Sequence, residues 1–186
     1  MFFSTLAYSQ NAFIIYEFEA KRGCQDAILE LADGFWGEAN FKSGGIDIER
    51  MSIGGEPSTH RIVIYGDPAN WGRSDTTVTN AQWEAFIEKF QNFVEEWTFS
   101  TSGEVLSWVG SDDDDAYQYG QIYDFKAEDE QAFKAAHDKI VGELSSVMDG
   151  REIGYGSFLI NGYEGSTHYV YVGAKNWTDL VQNRRD

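Results

Sequence analysis

Apolar positions along the chain recur at two spacings, and the switches between them order its elements. Phe13 to Glu19 has the aromatic and β-branched content of a strand, after which Ala27, Ile28, Leu31, Ala32 and Phe35 fall at helical spacing. Gly44-Gly45 then punctuates the chain before an alternating stretch that puts Ile46, Ile48 and Arg50 on one face. Gly54-Gly55-Glu56-Pro57 turns this stretch into the apolar run Ile62 to Tyr65, so a hairpin is predicted. After a polar connection beyond Trp71, Thr79 is placed to cap a second helix. The apolar stripe of that helix is Trp83, Phe86, Ile87, Phe90, Phe93, Val94 and Trp97, with Glu84, Glu88, Lys89, Glu95 and Glu96 facing outward. Glu104 to Val109 reads as a short strand that completes the order β-α-β-β-α-β.

That order then begins again. Tyr16-Glu17-Phe18-Glu19-Ala20 matches Tyr123-Asp124-Phe125-Lys126-Ala127, Ser58-Thr59-His60 matches Ser166-Thr167-His168, and Asn70-Trp71 matches Asn176-Trp177. The matches keep their order at separations of 106 to 108 residues, so the chain reads as an internal duplication. The second copy has a strand from Tyr117 to Lys126 and a helix from about Glu128 to Met148, with Phe133, Ala136, Ile140, Leu144 and Val147 on its buried stripe. A hairpin follows, Ile153 to Ile160 and Tyr169 to Val172, with Asn161-Gly162 in its turn. Only nine residues remain after Trp177, enough for a short helix from Thr178 to Arg185 and no sixth strand.

The predicted organisation is an N-terminal segment (1–11), a first unit (12–110), an acidic linker (111–116) and a second unit (117–186). The order β-α-β-β-α-β is that of the ferredoxin-like split βαβ fold. The expected class is α+β: two tandem ferredoxin-like (βαββαβ) units with antiparallel sheets, the second lacking its last strand. Two such units resemble the dimeric α+β barrel superfamily in its tandem-duplicated form. The resemblance spans about residues 12 to 180 and rests on element order and duplication. The missing strand is expected from segment 1–8, from another protomer or from residues beyond this chain; an unpaired edge there predicts a homodimer.

Composition narrows the partners. Of 186 residues, 31 are acidic and 14 basic, and the net charge of −17 opposes binding to polyphosphates, so nucleic acid is not an expected partner. No run of 18 apolar residues occurs, so no transmembrane helix is predicted. The single cysteine, Cys24, excludes an intramolecular disulfide framework and a multi-thiolate metal site. Leu6-Ala7-Tyr8-Ser9 has the small-x-small pattern of a signal cleavage site without the basic region that should precede it. A secreted or periplasmic location follows if the segment is a signal remnant, a cytoplasmic one if it is a first strand or a frayed end.

Candidate chemistry centres on three histidines. His60 and His168 hold equivalent places after Ser-Thr and are the catalytic candidates; the plain alternative is turn-exit chemistry, with the hydroxyls bonding backbone. His137 lies on or beside the apolar stripe of its helix. The resemblance makes it the residue to test for haem, because chlorite dismutases and dye-decolorising peroxidases use a helical histidine in the second half; a core-edge histidine with a satisfied hydrogen bond is the alternative. Otherwise no cofactor is expected. Tyr16, Tyr123, Tyr155, Trp71 and Trp177 could line an aromatic pocket for a small molecule, or simply pack. Arg50 is either a carboxylate anchor or edge-strand protection. Asp112 to Asp115 lacks the spaced ligand pattern of an EF-hand and reads as a solvated linker. Nucleotide-binding, serine-elbow and zincin motifs are absent from the sequence. For the superfamily the resemblance implies an apolar cavity with one or two polar residues, here His60, His168, Arg50 or Tyr16. The functions to be weighed are a cofactor-independent monooxygenase or isomerase acting on an apolar substrate, a non-catalytic ligand-binding or interaction domain, and a haem protein.

Overall fold

Each predicted hairpin forms, and the alternation that predicted it sets its register. The computed structural model describes residues 11–75, 78–110, 116–144 and 151–182. In chain order the elements are β1 (Ala12–Ala20), α1 (Gln25–Trp36), β2 (Gly45–Arg50), β3 (His60–Gly66), α2 (Asn80–Gln91), β4 (Val94–Val109), β5 (Tyr119–Phe125), α3 (Glu130–Leu144), β6 (Ile153–Ile160), β7 (His168–Ala174) and α4 (Trp177–Gln182). The class is mixed α+β, with seven strands and four α-helices among the described residues. The segment 1–10, with its signal-like pattern, and the acidic run Asp112 to Asp115 lie outside the described residues. The chain divides into two compact units at Ser102 and Gly103.

In the first unit the strand order is β2-β3-β1-β4. β1 runs antiparallel to β3 with Phe18 opposite His60, and β2 antiparallel to β3 with Ile48 opposite Ile62 and Arg50 opposite His60. Phe18, Ala20, Ile62 and Val94 from the strands meet Ile28 of α1 and Phe86 and Phe90 of α2 in one buried cluster. Thr79 caps α2 as predicted. Its hydroxyl accepts from Gln82 N–H at 3.3 Å while the Gln82 side chain accepts from Thr79 N–H at 2.8 Å, which satisfies two otherwise orphaned donors.

The far end of that helix differs from expectation. It stops at Gln91, and Phe93, Val94 and Trp97, assigned above to its stripe, belong to a turn and to the 16-residue strand β4. Phe90, Phe93, Val94 and Trp97 satisfy helical spacing by coincidence, but Val94, Trp97, Thr98 and Phe99 are a dense β-branched and aromatic run that a sheet accommodates better. The expected short strand Glu104 to Val109 is the last part of β4.

In the second unit the order is β4-β6-β7-β5. Phe125 of β5 stands opposite His168 of β7, and Ser157 of β6 opposite the same residue. The unit thus has four strands, because the last part of β4 lies beside β6, close enough that a Cβ on Gly156 would fall 2.3 Å from the Glu104 carbonyl oxygen. The buried face of α3 is also rotated from the predicted stripe. Ala136 and Ile140 are exposed, whereas His137 and Val141, one and two turns beyond Phe133, are buried. An i, i+4, i+8 row of Phe133, His137 and Val141 faces the sheet, so the polar residue sits on the buried row.

Candidate functional site

The strand order brings both Ser-Thr-His segments to the start of a strand, where the same backbone bonds recur. In the first unit Thr59 Oγ1 accepts from Ala20 N–H at 2.8 Å and lies 2.9 Å from His60 Nδ1. In the second, Thr167 Oγ1 accepts from Ala127 N–H at 3.1 Å and lies 2.8 Å from His168 Nδ1. Each hydroxyl has one proton to place. The other acceptor near Thr59, the Phe18 carbonyl, is 3.5 Å away, too long for an O–H donor, so the hydroxyl donates to Nδ1. The hydrogen-bond network thereby assigns the imidazole proton to Nε2 in His60, and likewise in His168.

In both histidines Nε2 is buried and has no hydrogen-bond partner among the described residues. Their surroundings differ. His60 stacks on Phe18 at 5.5 Å, and burial, followed by the charge of Arg50, holds its pKa below the usual histidine value. His168 stacks on Phe125 at 5.9 Å and on Tyr155 at 5.7 Å, and its Nε2 lies 3.7 Å from Glu130 Oε2 at the start of α3.

Tyr155 is the centre of the second arrangement. It is fully buried, and its hydroxyl has no partner among the described residues. Its ring centroid is 5.2 Å from that of His137 and 5.3 Å from that of Phe133. Burial, then the charges of Glu130 and Asp138, push its pKa above the usual phenol value, so the hydroxyl stays protonated as a donor. His137 has the opposite polarity. Its Nδ1 lies 3.4 Å from Asp138 Oδ1, and the Asp138 carboxyl is held below its usual range by its hydrogen bond with Lys134 and by His137. An ionised carboxylate only accepts, so in the neutral ring this contact puts the His137 proton on Nδ1 and the lone pair on Nε2, an atom that is buried and without a partner among the described residues. With His137 neutral, one buried cluster holds a base lone pair, on His137, and two donors, Tyr155 O–H and His168 Nε2–H.

In the first unit the matching register positions carry other chemistry: Ile48 pairs with Ile62 as Tyr155 pairs with Val170, and Arg50 faces His60 as Ser157 faces His168. The polar side chain paired with His60 there is Arg50, a cation that only donates. The remaining predicted site residues scatter. Tyr16 and Tyr123 are 40% and 43% exposed and Trp177 is 45% exposed, so the inward tyrosine face expected of the first strands is not formed, and Arg50 is exposed at the end of β2. Phe18 and Phe125, on the same strands, take the buried positions instead. Trp71 is half-buried beside a cavity of the first unit. Cys24 precedes α1 without capping it through its side chain. Sequence reasoning missed Asp138 and Glu130; the Thr59 and Thr167 hydroxyls bond backbone as the turn-exit reading expected. The signals were present: Asp138 adjoins His137 and follows Lys134 by one turn, and Glu130 precedes His137 by two turns on the same face.

No group of three or more metal-ligating side chains occurs among the described residues. His137 Nε2 is sealed from solvent against packed rings, so neither a haem nor another ligand reaches that atom in the closed structure.

Searches against protein-family models and against curated proteins give no match. Solved structures do match over nearly the whole chain. A putative monooxygenase from Fusobacterium nucleatum subsp. nucleatum ATCC 25586 aligns with a TM-score of 0.65 and 16% identity, over 96% of this chain and 82% of that one. Another of the same description, from Lactobacillus acidophilus NCFM, aligns with a TM-score of 0.61 and 12% identity, over 95% and 82%. These proteins have dimeric α+β barrel folds, and the likeness to them is one of fold. An anthrone oxidase-like protein is similar too, with a TM-score of 0.54 and 12% identity, over 96% of this chain and 78% of that one. At such identities the likeness is one of backbone, and the chemistry rests on this chain's own side chains.

Proposed function

We propose that this chain binds an apolar aromatic small molecule and oxygenates it without a bound cofactor, with His137, His168 and Tyr155 as the catalytic residues. The observation that supports it is the opposed proton states inside one cluster: a buried lone pair on His137 Nε2 beside two buried donors. Such a set suits removal of a proton from a carbon conjugated, directly or through an aromatic ring, with a carbonyl. His137 takes the proton, Asp138 stabilises the imidazolium, and His168 Nε2–H and Tyr155 O–H hold the oxyanion that develops. The electron-rich enolate then reduces dioxygen. The CH₂ carbon becomes a carbonyl, one oxygen atom enters the product and the other leaves as water, so the oxidant is dioxygen alone. The cluster is closed in the free protein, so substrate entry has to part the Tyr155, His137 and Phe133 rings.

The names of the similar structures favour oxygenation over a simple enolate isomerisation, which needs the same base and donors but no dioxygen. Anthrone, with one acidic CH₂ opposite a carbonyl, is the probe. Oxygen uptake and anthraquinone formation above the buffer rate are expected in one-to-one ratio, with a loss of about 100-fold or more in His137→Gln. Equal rates for wild type and His137→Gln would overturn the reading, and turnover of an enolisable substrate without oxygen uptake would replace it with the isomerase.

We also read the two units as tandem ferredoxin-like copies. The paired Thr–His hydrogen bonds at equivalent positions and the order β2-β3-β1-β4 of the first unit support this.

A further inference from the structure

The proposed chemistry gives two histidines of one cluster opposite roles, His137 as base and His168 as donor, and an imidazole ring can serve as either. Their Nδ1 partners differ in the matching way. Asp138 Oδ1, 3.4 Å from His137 Nδ1, is an acceptor. Thr167 Oγ1 accepts from Ala127 N–H at 3.1 Å and turns its own proton to His168 Nδ1, 2.8 Å away. The other nitrogen of His168 faces a group of the opposite kind, Glu130 Oε2 at 3.7 Å from Nε2. That separation exceeds a hydrogen bond, but the carboxylate charge still favours an N–H over a lone pair. The ring between these groups is stacked on Phe125 of β5 at 5.9 Å and on Tyr155 of β6 at 5.7 Å, and those strands flank β7.

We propose that Thr167 and Glu130 are positioning residues of the oxygenase site: a donor at Nδ1 and a carboxylate beyond Nε2 keep the His168 proton on Nε2, so that His168 serves as oxyanion donor and not as a second base. This inference rests on the reading of His168 as a donor in that reaction. The first unit shows which part is particular to the second. Thr59 makes the same two bonds, to Ala20 N–H and to His60 Nδ1, but the charged side chain paired with His60 is the cation Arg50, which opposes a proton on the ring. The Thr–His bond is therefore common to both units, and the carboxylate beyond Nε2 is added in the second. The Glu130 side chain is 57% exposed and is not hydrogen-bonded to Nε2, so it can turn to solvent when a substrate oxygen takes that N–H.

Nitrogen-15 spectra of the imidazoles in the full chain read the tautomer, with His168→Gln identifying the His168 signals. Wild type and Thr167→Ser should show the Nε2–H form alone. Thr167→Val combined with Glu130→Gln should put at least about a tenth of the signal in the Nδ1–H form. In anthrone turnover Thr167→Val should lower kcat about tenfold with little change in KM, and Thr167→Ser should keep it near wild type. Thr59→Val removes the same two bonds in the first unit and should leave kcat unchanged, which separates positioning from loss of stability. An unmoved tautomer in the double variant, or an equal loss of kcat in Thr59→Val, overturns the proposal and leaves the oxygenase reading intact. If wild type does not oxidise anthrone, that reading fails instead, and the tautomer measurement alone decides whether Thr167 and Glu130 set the His168 proton.

Discussion

At the scale of single residues the unusual groups are buried polar atoms, and each has a consequence for stability. His60 is fully buried, and its pKa lies below the usual histidine value. The unfolded chain takes up this proton near pH 6.5 and the folded chain only at lower pH. Between those points the unfolded state binds more protons, so the stabilising contribution is complete above about pH 6.5 and is lost as pH falls. Asp138 and Asp179 also have lowered values, but as carboxyls they weaken the fold only below about pH 4. The urea midpoint should therefore drop between pH 7.5 and 5.5 in wild type and drop less in His60→Gln; an undiminished drop would assign the effect elsewhere. The Tyr155 hydroxyl gives a second test, because burying it without a partner costs stability. Tyr155→Phe should raise unfolding free energy by about 1 kcal/mol while lowering anthrone turnover, and a loss of stability would mean that the hydroxyl has a partner. Of this site the sequence made His60, His168, His137 and Tyr155 visible as residues. Their proton states were not visible, because those depend on which hydroxyl or carboxylate the fold brings to each Nδ1.

Elements were legible where their period was uncontested and their ends were signalled. The Thr79 cap, the hairpins and the Asn161-Gly162 turn, where Asn161 adopts φ 55°, follow from local chemistry. Two features were not. The α2 to β4 junction passes through residues that fit both periods, and only sheet pairing decides between them. The buried row of α3 was misassigned because hydrophobicity points to Ala136 and Ile140, while the fold buries His137 for its cluster with Tyr155. The element that sequence could least foresee is β4, whose last part supplies the strand beside β6. Gly156 permits that approach: an added Cβ would lie 2.3 Å from the Glu104 carbonyl oxygen and 2.5 Å from the Tyr169 ring. Backbone cannot give way as a flexible side chain can, so Gly156→Ala should cost about 1–3 kcal/mol in urea unfolding. A neutral result would mean that β4 and β6 part easily.

For the whole molecule the dominant quantity is charge. A net −17 on 186 residues sets up self-repulsion, which the compact state feels more than the extended chain. The surface ion pairs cannot offset it, because 14 basic residues face 31 acidic ones and exposed pairs such as Lys139 with Glu143, 3.9 Å apart, contribute little. Salt discriminates between the two effects. Raising ionic strength from 0.01 to 0.1 M shortens the screening length from about 30 to about 10 Å. That change weakens long-range repulsion most and leaves contact pairs less affected. Tm should therefore rise with salt, by about 2–4 °C for each kcal/mol of repulsion removed in a chain of this size. NaCl and KCl should act alike, since screening depends on ionic strength and not on which monovalent cation supplies it. A Tm that falls with salt would mean that ion pairs, and not net charge, dominate the electrostatics. A rise specific to one cation would mean instead that the carboxylates bind it at a site.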